Sequence, residues 1–295
     1  MRNVKFGDFA ISKIADMENG IYAPQRMYPD ATPEVLRELQ ARLGPRLIDA
    51  ELNLMLSFNC FVIKTGRHTI VVDSCIGNDK ERPQRPNWHC RKAPFLDTLQ
   101  GLGVAPDSVD YVLCTHLHAD HVGWNTRLVN GKWVPTFPNA QYLIAETEYK
   151  YWRAQHDKTP PEPLLHGSFA DSVLPVVDKG QAKMVPMDCE VISGIHLEGA
   201  PGHTPGGVVI NVEDKGARAV VCGDMLHHPA QVVYPEWSTN FCEDPELSRR
   251  TRQEFVRRHA DTGTRVLTGH FPTPTSGQIR RDGARYKFVF DDLAE

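Results

Sequence analysis

The sequence lacks the features of a membrane anchor, a disulfide framework or a nucleic-acid-binding surface. None of its apolar runs approaches the ~20 residues that a membrane-spanning helix needs. The seven cysteines are scattered and never spaced as C-x-x-C, which argues against a set of disulfides and against a thiolate zinc site. With 33 Lys and Arg against 37 Asp and Glu, the net charge is -4, so no basic surface for nucleic acid is expected.

The first twenty residues also lack the features of a signal peptide. The segment MRNVKFGDFAISKIADMENG has neither a continuous apolar core nor a small-residue cleavage site. Together with the scattered cysteines, this predicts a reduced, cytoplasmic protein with no membrane partner. Since no repeat, low-complexity tract or linker is visible, we predict one domain over residues 1–295. Residues 1–58 are too long to be one first strand, and we expect them to form an extension that packs on the core or on a partner subunit.

Capping and turn signals divide the chain into short strands and helices. In ATPEVLRELQARLG, Thr32, Pro33 and Gly44 are placed to cap, begin and end a helix. Two apolar runs joined by Thr-Gly-Arg in FNCFVIKTGRHTIVVDSCIG predict a β-hairpin. Further strands are predicted at DYVLCTH, AQYLIAE, CEVISGIHLEG, GGVVINVED, ARAVVCGD and TRVLTGH, and helices at APFLDTLQGLGV, TEYKYWRAQ, SFADSVLPVV and PELSRRTRQEFVRRHAD. This mixture predicts a layered α/β protein.

Ligand-type side chains are crowded into CTHLHADHVGW, at the end of one predicted strand. His116 and His118 are two residues apart, so an extended backbone points both to one side. Asp120 and His121 follow where the chain must turn. Nitrogen and carboxylate ligands together suit zinc, iron or manganese. Taken alone, the cluster also fits a hydrogen-bonded structural group or a chance coincidence.

Three later residues decide between these interpretations. His203 lies in the loop APGHTPGG after a strand, Asp224 ends VVCGD, and His270 ends VLTGH. Each lies where a buried strand emerges, which is where α/β proteins build their sites. Together with the cluster, they predict a metal centre.

With these motifs the sequence resembles the metallo-β-lactamase superfamily. The family pattern is H-x-H-x-D-H, then a histidine in G-H-T-P-G, then an aspartate and a final histidine, and all of these occur between about Asn59 and His270. The resemblance implies a four-layer αββα sandwich and two divalent metal ions, zinc first, with manganese, iron or cobalt as alternatives. By resemblance the first metal is held by His116, His118 and His203, the second by Asp120, His121 and His270, and Asp224 bridges them together with a water or hydroxide.

The implied chemistry is hydrolysis by the metal-bridging hydroxide, because two cations lower the pKa of a shared water towards neutrality. Asp120, Asp224 and His227 are the predicted catalytic residues. VVDSCIG resembles the family's strand-end aspartate motif, although Ser74 and Cys75 replace its usual continuation. Asp73 is therefore expected to orient a ligand imidazole, with a plain turn carboxylate as the alternative.

The intervals between motifs resemble the methyl parathion hydrolase branch, with the more compact acyl-homoserine-lactone lactonases as neighbours. His121 and His203 are 82 residues apart, His203 and Asp224 21, and Asp224 and His270 46. Such lactonases carry a tyrosine three residues after the bridging aspartate, where this chain has His227. We expect His227 to be neutral and to donate a hydrogen bond to a developing oxyanion, the alternative being a helix cap. His228 is expected to be structural.

The expected substrate is a small hydrophobic ester or lactone. Trp88, Trp124 and Trp152, with Tyr151 beside them, are candidate pocket walls. No Arg or Lys lies within the metal motifs, which favours neutral esters over phosphate monoesters. The sequence therefore predicts a hydrolase of a lactone, aryl ester or organophosphate triester, acting as an isologous homodimer. The alternatives are a glyoxalase II-like thioester hydrolase, a mono-iron persulfide dioxygenase-like enzyme, and a relative without catalysis.

Overall fold

The expected α/β class is present in the computed structural model, which describes residues 4–158 and 163–291. Two compact units make up this part of the chain. The first unit contains residues 4–16 and 58–189, and the second contains residues 17–57 and 190–291. Each unit contains most of one seven-stranded sheet, together with helices. The single-domain organisation predicted above stays a prediction.

The sheet of the first unit is parallel in the part that matters for the site. In sheet order its strands are β1 (Val4–Phe6), β2 (Phe9–Tyr22), β3 (Leu54–Lys64), β4 (Thr69–Val72), β5 (Tyr111–Leu113), β8 (Gln141–Ala145) and β9 (Ala182–Val185). The predicted hairpin is confirmed, since β3 and β4 are antiparallel and joined by a turn in which Thr65 N donates to His68 O at 3.0 Å. From β4 to β9 the strands are parallel. Their carboxyl ends therefore share one edge, and residues that follow them are brought together.

Four α-helices and a separate hairpin complete the described part of the first unit. The helices are α3 (Phe95–Gly101), α4 (Ala119–Val122), α5 (Glu146–Lys158) and α6 (Leu174–Asp178), and the hairpin pairs β6 (Thr126–Val129) with β7 (Lys132–Pro135). The predicted helix SFADSVLPVV is a π-helical turn, Phe169–Val173, followed by α6, with Pro175 in its first turn. In α3, Phe95 and Leu99 are fully buried in the core. Truncating either to Ala costs about 2–5 kcal/mol in typical cores.

A buried ionic network ties the first unit together. Lys80 and Arg82 are almost fully buried. Arg82 donates two hydrogen bonds to the carboxylate of Asp171, at 2.7 and 2.9 Å, and Lys80 Nζ lies 3.4 Å from the same carboxylate. Lys80 also donates to Thr126 Oγ1 at 2.6 Å. Burial lowers the pKa of Lys80 to about 7, although the Asp171 carboxylate opposes this shift.

The sheet of the second unit is mostly antiparallel. Its strands, in sheet order, are β10 (Cys189–Ile192), β11 (Ile195–Gly199), β12 (Val208–Asp214), β13 (Ala217–Val221), β14 (Arg265–Leu267), β15 (Ser276–Asp282) and β16 (Arg285–Phe290). Only the pairing of β13 with β14 is parallel among those whose register is described. The predicted run CEVISGIHLEG forms two strands, because a turn at Gly194 with φ +84° interrupts it.

The described part of the second unit contains four α-helices: α1 (Pro24–Met27), α2 (Pro33–Leu43), α7 (Ala230–Val233) and α8 (Pro245–His259). The predicted ends of α2 are confirmed: Thr32 Oγ1 accepts from Val35 N, and Gly44 follows with φ +86°. Leu36 and Leu39 of α2 are buried in a cluster with Tyr28, Val233 and Trp237. Residues 17–57 are thus integrated into the core of this unit.

Two further findings concern the cysteines and the helices. None of the seven cysteines, all of which lie in the described ranges, forms a disulfide. Across residues 4–158 and 163–291, no helix combines the length and the apolar character needed to cross a bilayer.

Candidate metal centre

Seven predicted ligands carry donor atoms suited to metal binding, four in the first unit and three in the second. They are His116, His118, Asp120, His121, His203, Asp224 and His270. All seven follow strand ends or lie in the first turn after one.

The donors of the first unit lie beyond the carboxyl end of β5. His118 has an extended backbone and precedes α4, whose four residues include Asp120 and His121. The ring of His116 has its centroid 4.6 Å from that of His118 and 4.1 Å from that of His121. Extended backbone followed by one helical turn therefore gathers three imidazoles within six residues.

Asp73 holds one of these imidazoles. It follows β4, the strand beside β5, and its Oδ2 lies 2.8 Å from His121 Nδ1. The same carboxylate accepts hydrogen bonds from Thr115 N and Thr115 Oγ1, both at 2.8 Å. Because Nδ1 of His121 donates to Asp73, its Nε2 keeps the lone pair that a metal requires. This is the contact expected of Asp73 from the sequence.

A second carboxylate supports the same loop and was not anticipated. Glu148, in α5 after β8, is 1% exposed, and its Oε1 accepts from Leu117 N at 3.0 Å. It also accepts from Trp152 Nε1 at 2.7 Å. Leu117 lies between His116 and His118, so Glu148 fixes the backbone that carries both. Its position at the parallel edge of the sheet was the available signal.

Close backbone packing locks the first-unit loop at Gly123. A Cβ on Gly123 would lie 1.9 Å from Ile76 O. Gly123 N donates to Cys75 O at 2.7 Å, and Ser74 N donates to His121 O at 2.6 Å. The segment after Asp73 is thereby joined to the backbone of the donors.

In the second unit, sheet register places the donors. Val221 of β13 pairs with Leu267 of the parallel strand β14. Asp224 and His270 each lie three residues beyond this pair, so they emerge at the same edge. His203 comes from the loop between β11 and β12. Asp224 Oδ1 lies 2.8 Å from His270 Nε2, and Asp224 Oδ2 lies 3.1 Å from His203 Nε2.

His227 adds a third imidazole beside the same carboxylate. Its Nε2 lies 3.1 Å from Asp224 Oδ2, and its ring stacks on that of His270 with centroids 5.5 Å apart. Burial lowers the pKa of His227 to about 4, so the ring is neutral near pH 7. Its neighbour His228 is structural, with Nε2 2.9 Å from Leu47 O and Nδ1 accepting from Ala230 N.

The outward-facing nitrogens of the second-unit ligands also have partners. His270 Nδ1 lies 3.0 Å from Ser57 O, and His203 Nδ1 lies 3.6 Å from Cys242 Sγ. Burial alone would lower the pKa of His203, but the Asp224 carboxylate raises it to about 10. Burial alone would raise the pKa of the Cys242 thiol, but the hydrogen bond with His203 outweighs it and lowers the value to about 7. Cys242 lies 39 residues from His203, and no sequence signal connects the two.

The donor set fits divalent cations. Three buried imidazoles direct Nε2 at one carboxylate in the second unit, and three imidazoles with Asp120 are gathered in the first. Mixed nitrogen and carboxylate donors suit zinc, manganese, iron and cobalt, whereas the absence of thiolate pairs in the two sets disfavours a structural zinc-cysteine site. A cation binding here displaces the proton of His203, since ligand imidazoles must be neutral.

The three predicted pocket tryptophans are each almost fully buried. Trp88 is 6% exposed and meets Phe58 edge-on, with centroids 5.5 Å apart. Trp124 stacks on Phe95 and donates its Nε1 hydrogen to Asp16 at 3.3 Å. The ring of Trp152 lies 5.6 Å from that of His118, and Tyr151 packs against it. Their role in a substrate pocket stays a prediction.

Comparison with known proteins identifies the family of this chain. Residues 56–270 match the model of the metallo-beta-lactamase superfamily. Over 129 residues the chain is 27% identical to N-acyl homoserine lactonase AiiA of Bacillus thuringiensis subsp. kurstaki, a match that covers 43% of this chain and only 42% of that lactonase.

Two solved structures share the fold over the whole chain. Hydrolase AbOPH of the beta lactamase superfamily superposes with a TM-score of 0.84 at 24% identity, covering 100% of this chain and 98% of that one. AidC, a dizinc quorum-quenching lactonase, gives a TM-score of 0.79 at 19% identity with the same coverage of both chains. These likenesses confirm the fold expected from the sequence.

Proposed function

Because this chain belongs to the metallo-beta-lactamase superfamily, we propose that it is a metal-dependent hydrolase of small hydrophobic lactones. Aryl esters and organophosphate triesters are further candidates, since the same nucleophile attacks all three. The observation that carries the proposal is the buried carboxylate of Asp224, with Nε2 of His203, His227 and His270 within 3.1 Å. A single buried carboxylate with three imidazoles is an arrangement that a bound cation stabilises.

We further propose that the centre holds two divalent ions, with zinc as the leading identity. In this assignment His116, His118 and His203 would hold one ion, and Asp120, His121 and His270 would hold the other. By the family resemblance, Asp224 would contribute to both. Two such ions would supply a nucleophile near neutral pH, because bound water has a lowered pKa, and would polarise the bond that is attacked.

The chain's own residues complete the proposed chemistry. Asp120 has its Oδ2 3.9 Å from His121 Nε2, and its carboxylate receives the proton released when the nucleophile adds. His227 donates a ring N–H to the negative charge that develops on the substrate oxygen. Asp73, through His121, and Glu148, through Leu117 N, keep the ligands in place.

The lactone is placed first among the substrates because AiiA and AidC are both lactonases by name. His227 stands where the resemblance places a tyrosine that assists the substrate carbonyl. An imidazole N–H can donate the same hydrogen bond. Having His227 in place of the tyrosine therefore changes the hydrogen-bond donor and retains its role towards the substrate carbonyl.

The experiment that tests the proposal is a measurement of metal per chain joined to a substrate panel. Purified protein is expected to contain two equivalents of zinc or manganese and to hydrolyse a lactone, with both lost on chelation and restored by metal. His203→Ala removes one ligand, and His196→Ala, at an exposed position on β11, is the matched control. One iron per chain with oxygen consumption on persulfides, or no metal at all, would overturn the proposal.

Two expectations from the sequence remain proposals of their own. We propose a homodimer, which light scattering coupled to size-exclusion chromatography checks through the mass in solution. The cytoplasmic location is likewise proposed, and fractionation of the native host cells tests it.

A further inference from the structure

The loop that carries His203 is fixed against the segment that precedes α8. Glu243 N donates to His203 O at 2.9 Å, and Asp244 N donates to Gly202 O at 3.0 Å. Gly202 has φ +128°, and a Cβ there would lie 2.2 Å from Ser248 N. The backbone of His203 is therefore held against the segment that begins with Cys242, which directly precedes Glu243.

Cys242 meets the ring of His203 with its sulfur already oriented. Sγ lies 3.6 Å from His203 Nδ1, 3.3 Å from Ser248 Oγ and 3.4 Å from Thr239 Oγ1. The thiol hydrogen is donated to Ser248 Oγ, which leaves the sulfur lone pairs towards His203 Nδ1.

Ser248 is itself held by a buried guanidinium. Arg252 is 0% exposed and donates from Nη1 to Ser248 Oγ at 3.1 Å. It also donates to Pro235 O at 3.0 Å and to Ser238 Oγ at 2.9 Å. A continuous set of hydrogen bonds thus runs from Arg252 through Ser248 and Cys242 to His203, whose Nε2 faces Asp224.

We propose that Cys242 is the positioning residue of His203: its sulfur accepts the Nδ1 hydrogen and so directs the Nε2 lone pair to the metal. The inference rests on the metal centre proposed above. In this chain the equivalent partner is a carboxylate for His121 and a main-chain oxygen for His270. A sulfur is a weaker acceptor than either, so His203 is held less firmly than His121 or His270.

The test measures metal affinity and leaves catalysis aside. Metal-free protein is titrated with cobalt(II), followed by its visible absorption and by competition with a chelator. Cys242→Ala is expected to lower the affinity for one of the two cobalt ions by about 10–100-fold, the usual effect of removing the hydrogen-bond partner of a ligand. Cys242→Ser retains an acceptor and is expected to recover most of the affinity. Cys189→Ala, a half-buried thiol at the start of β10, is the matched control and is expected to bind both ions like the wild type.

The outcomes separate this inference from the proposed function. Wild-type protein that binds fewer than two cobalt ions overturns both. Wild-type protein that binds two, with unchanged affinity in Cys242→Ala, overturns the role of Cys242 alone. A purely structural role would lower the free energy of unfolding of the metal-free protein and leave both affinities unchanged. If Cys242→Ala does not fold, Ser248→Ala removes the acceptor of the thiol hydrogen, and its expected result is a smaller loss at the same ion.

Discussion

The two units provide the same kinds of donor in opposite ways. In the first unit, four donors come from six consecutive residues, His116 to His121, after one strand. In the second, His203, Asp224 and His270 come from three separate segments of the chain. Local backbone geometry gathers the first set, whereas the register of β13 with β14 aligns two of the second. A compact motif is visible in the sequence, while a dispersed one depends on the sheet being correctly paired.

Asp73 of the first unit and Asp224 of the second also differ, in the number of imidazoles that each carboxylate contacts. Asp73 contacts one imidazole, that of His121, and its remaining bonds go to Thr115. Asp224 has three imidazole nitrogens within 3.1 Å. One aspartate supports a single ligand, and the other is common to the whole second set.

The largest expected effect comes from exchanging these two carboxylates for neutral side chains. Asp224→Ala is expected to lower the rate on a lactone by on the order of a thousandfold, since metal-based charge stabilisation supplies several kcal/mol. Asp73→Asn leaves all proposed ligands in place and is expected to lower the same rate by about 10–100-fold. Initial rates at saturating zinc, with metal content measured on the same samples, check both values. Equal losses would remove the distinction between a shared and a supporting carboxylate.

The next effect concerns the glycines that lock each set of donors. Gly123→Ala forces a methyl group against Ile76 O, and Gly202→Ala forces one against Ser248 N at an unfavourable φ. Each is expected to lower the free energy of unfolding by about 3 kcal/mol, the upper part of the range for overpacking. Gly101→Ala, with no atom within 4 Å of the added carbon, is the control and is expected to stabilise by about 0.5–1 kcal/mol. Urea unfolding of the metal-free variants measures all three, and a neutral Gly202→Ala would show that the His203 loop is not locked.

The smallest expected effect concerns the pH dependence of stability, compared between Lys80 and Arg252, the buried cations of the two units. Below pH 7 Lys80 is protonated in the folded and unfolded states, so its burial penalty is fully present. Between about pH 7 and 10 the unfolded chain holds a proton that the folded chain has lost, so the free energy of unfolding rises with pH. From pH 7 to 9 this gain is expected to be about 2 kcal/mol in the wild type and absent in Lys80→Met.

Urea unfolding at the two pH values, wild type against Lys80→Met, isolates this gain from other titrating groups. Arg252→Met in the second unit is the counterpart, since a guanidinium keeps its proton over this range. An identical pH slope in wild type and Lys80→Met would show that the lysine is not held in its buried position.

Much of the fold could be predicted from local chemistry. The Thr-Gly-Arg turn predicted the hairpin of β3 and β4, and Thr32 with Gly44 predicted the ends of α2, because these residues fix the backbone where they stand. Strands β1, β2, β6, β7, β9, β15 and β16 were not predicted. For β15 and β16 a signal existed, since Gly283 begins a two-residue turn with φ +61° between Asp282 and Arg285.

In the candidate centre, the limit of sequence reasoning is set by distance along the chain. Asp73 was identifiable because it ends a strand, and the structure puts it against His121. Glu148 and Cys242 act through a main-chain amide and a ring nitrogen of residues 31 and 39 positions away. Cys242 has no signal in its immediate neighbourhood, and Glu148 has only its position after a parallel strand, since both contacts arise from packing.

The placement of the donors at strand ends also bears on how this chain can be altered by engineering. The 82-residue interval from His121 to His203 includes the β6–β7 hairpin, α5 and α6, and contributes none of the seven donors. We expect changes in those segments to leave the seven donors in place only where the strand ends keep their register and the buried contacts of Thr126 and Trp152 are retained. Any change in these segments has to retain Glu148, because its carboxylate accepts a hydrogen bond from Leu117 N, between two of the donors.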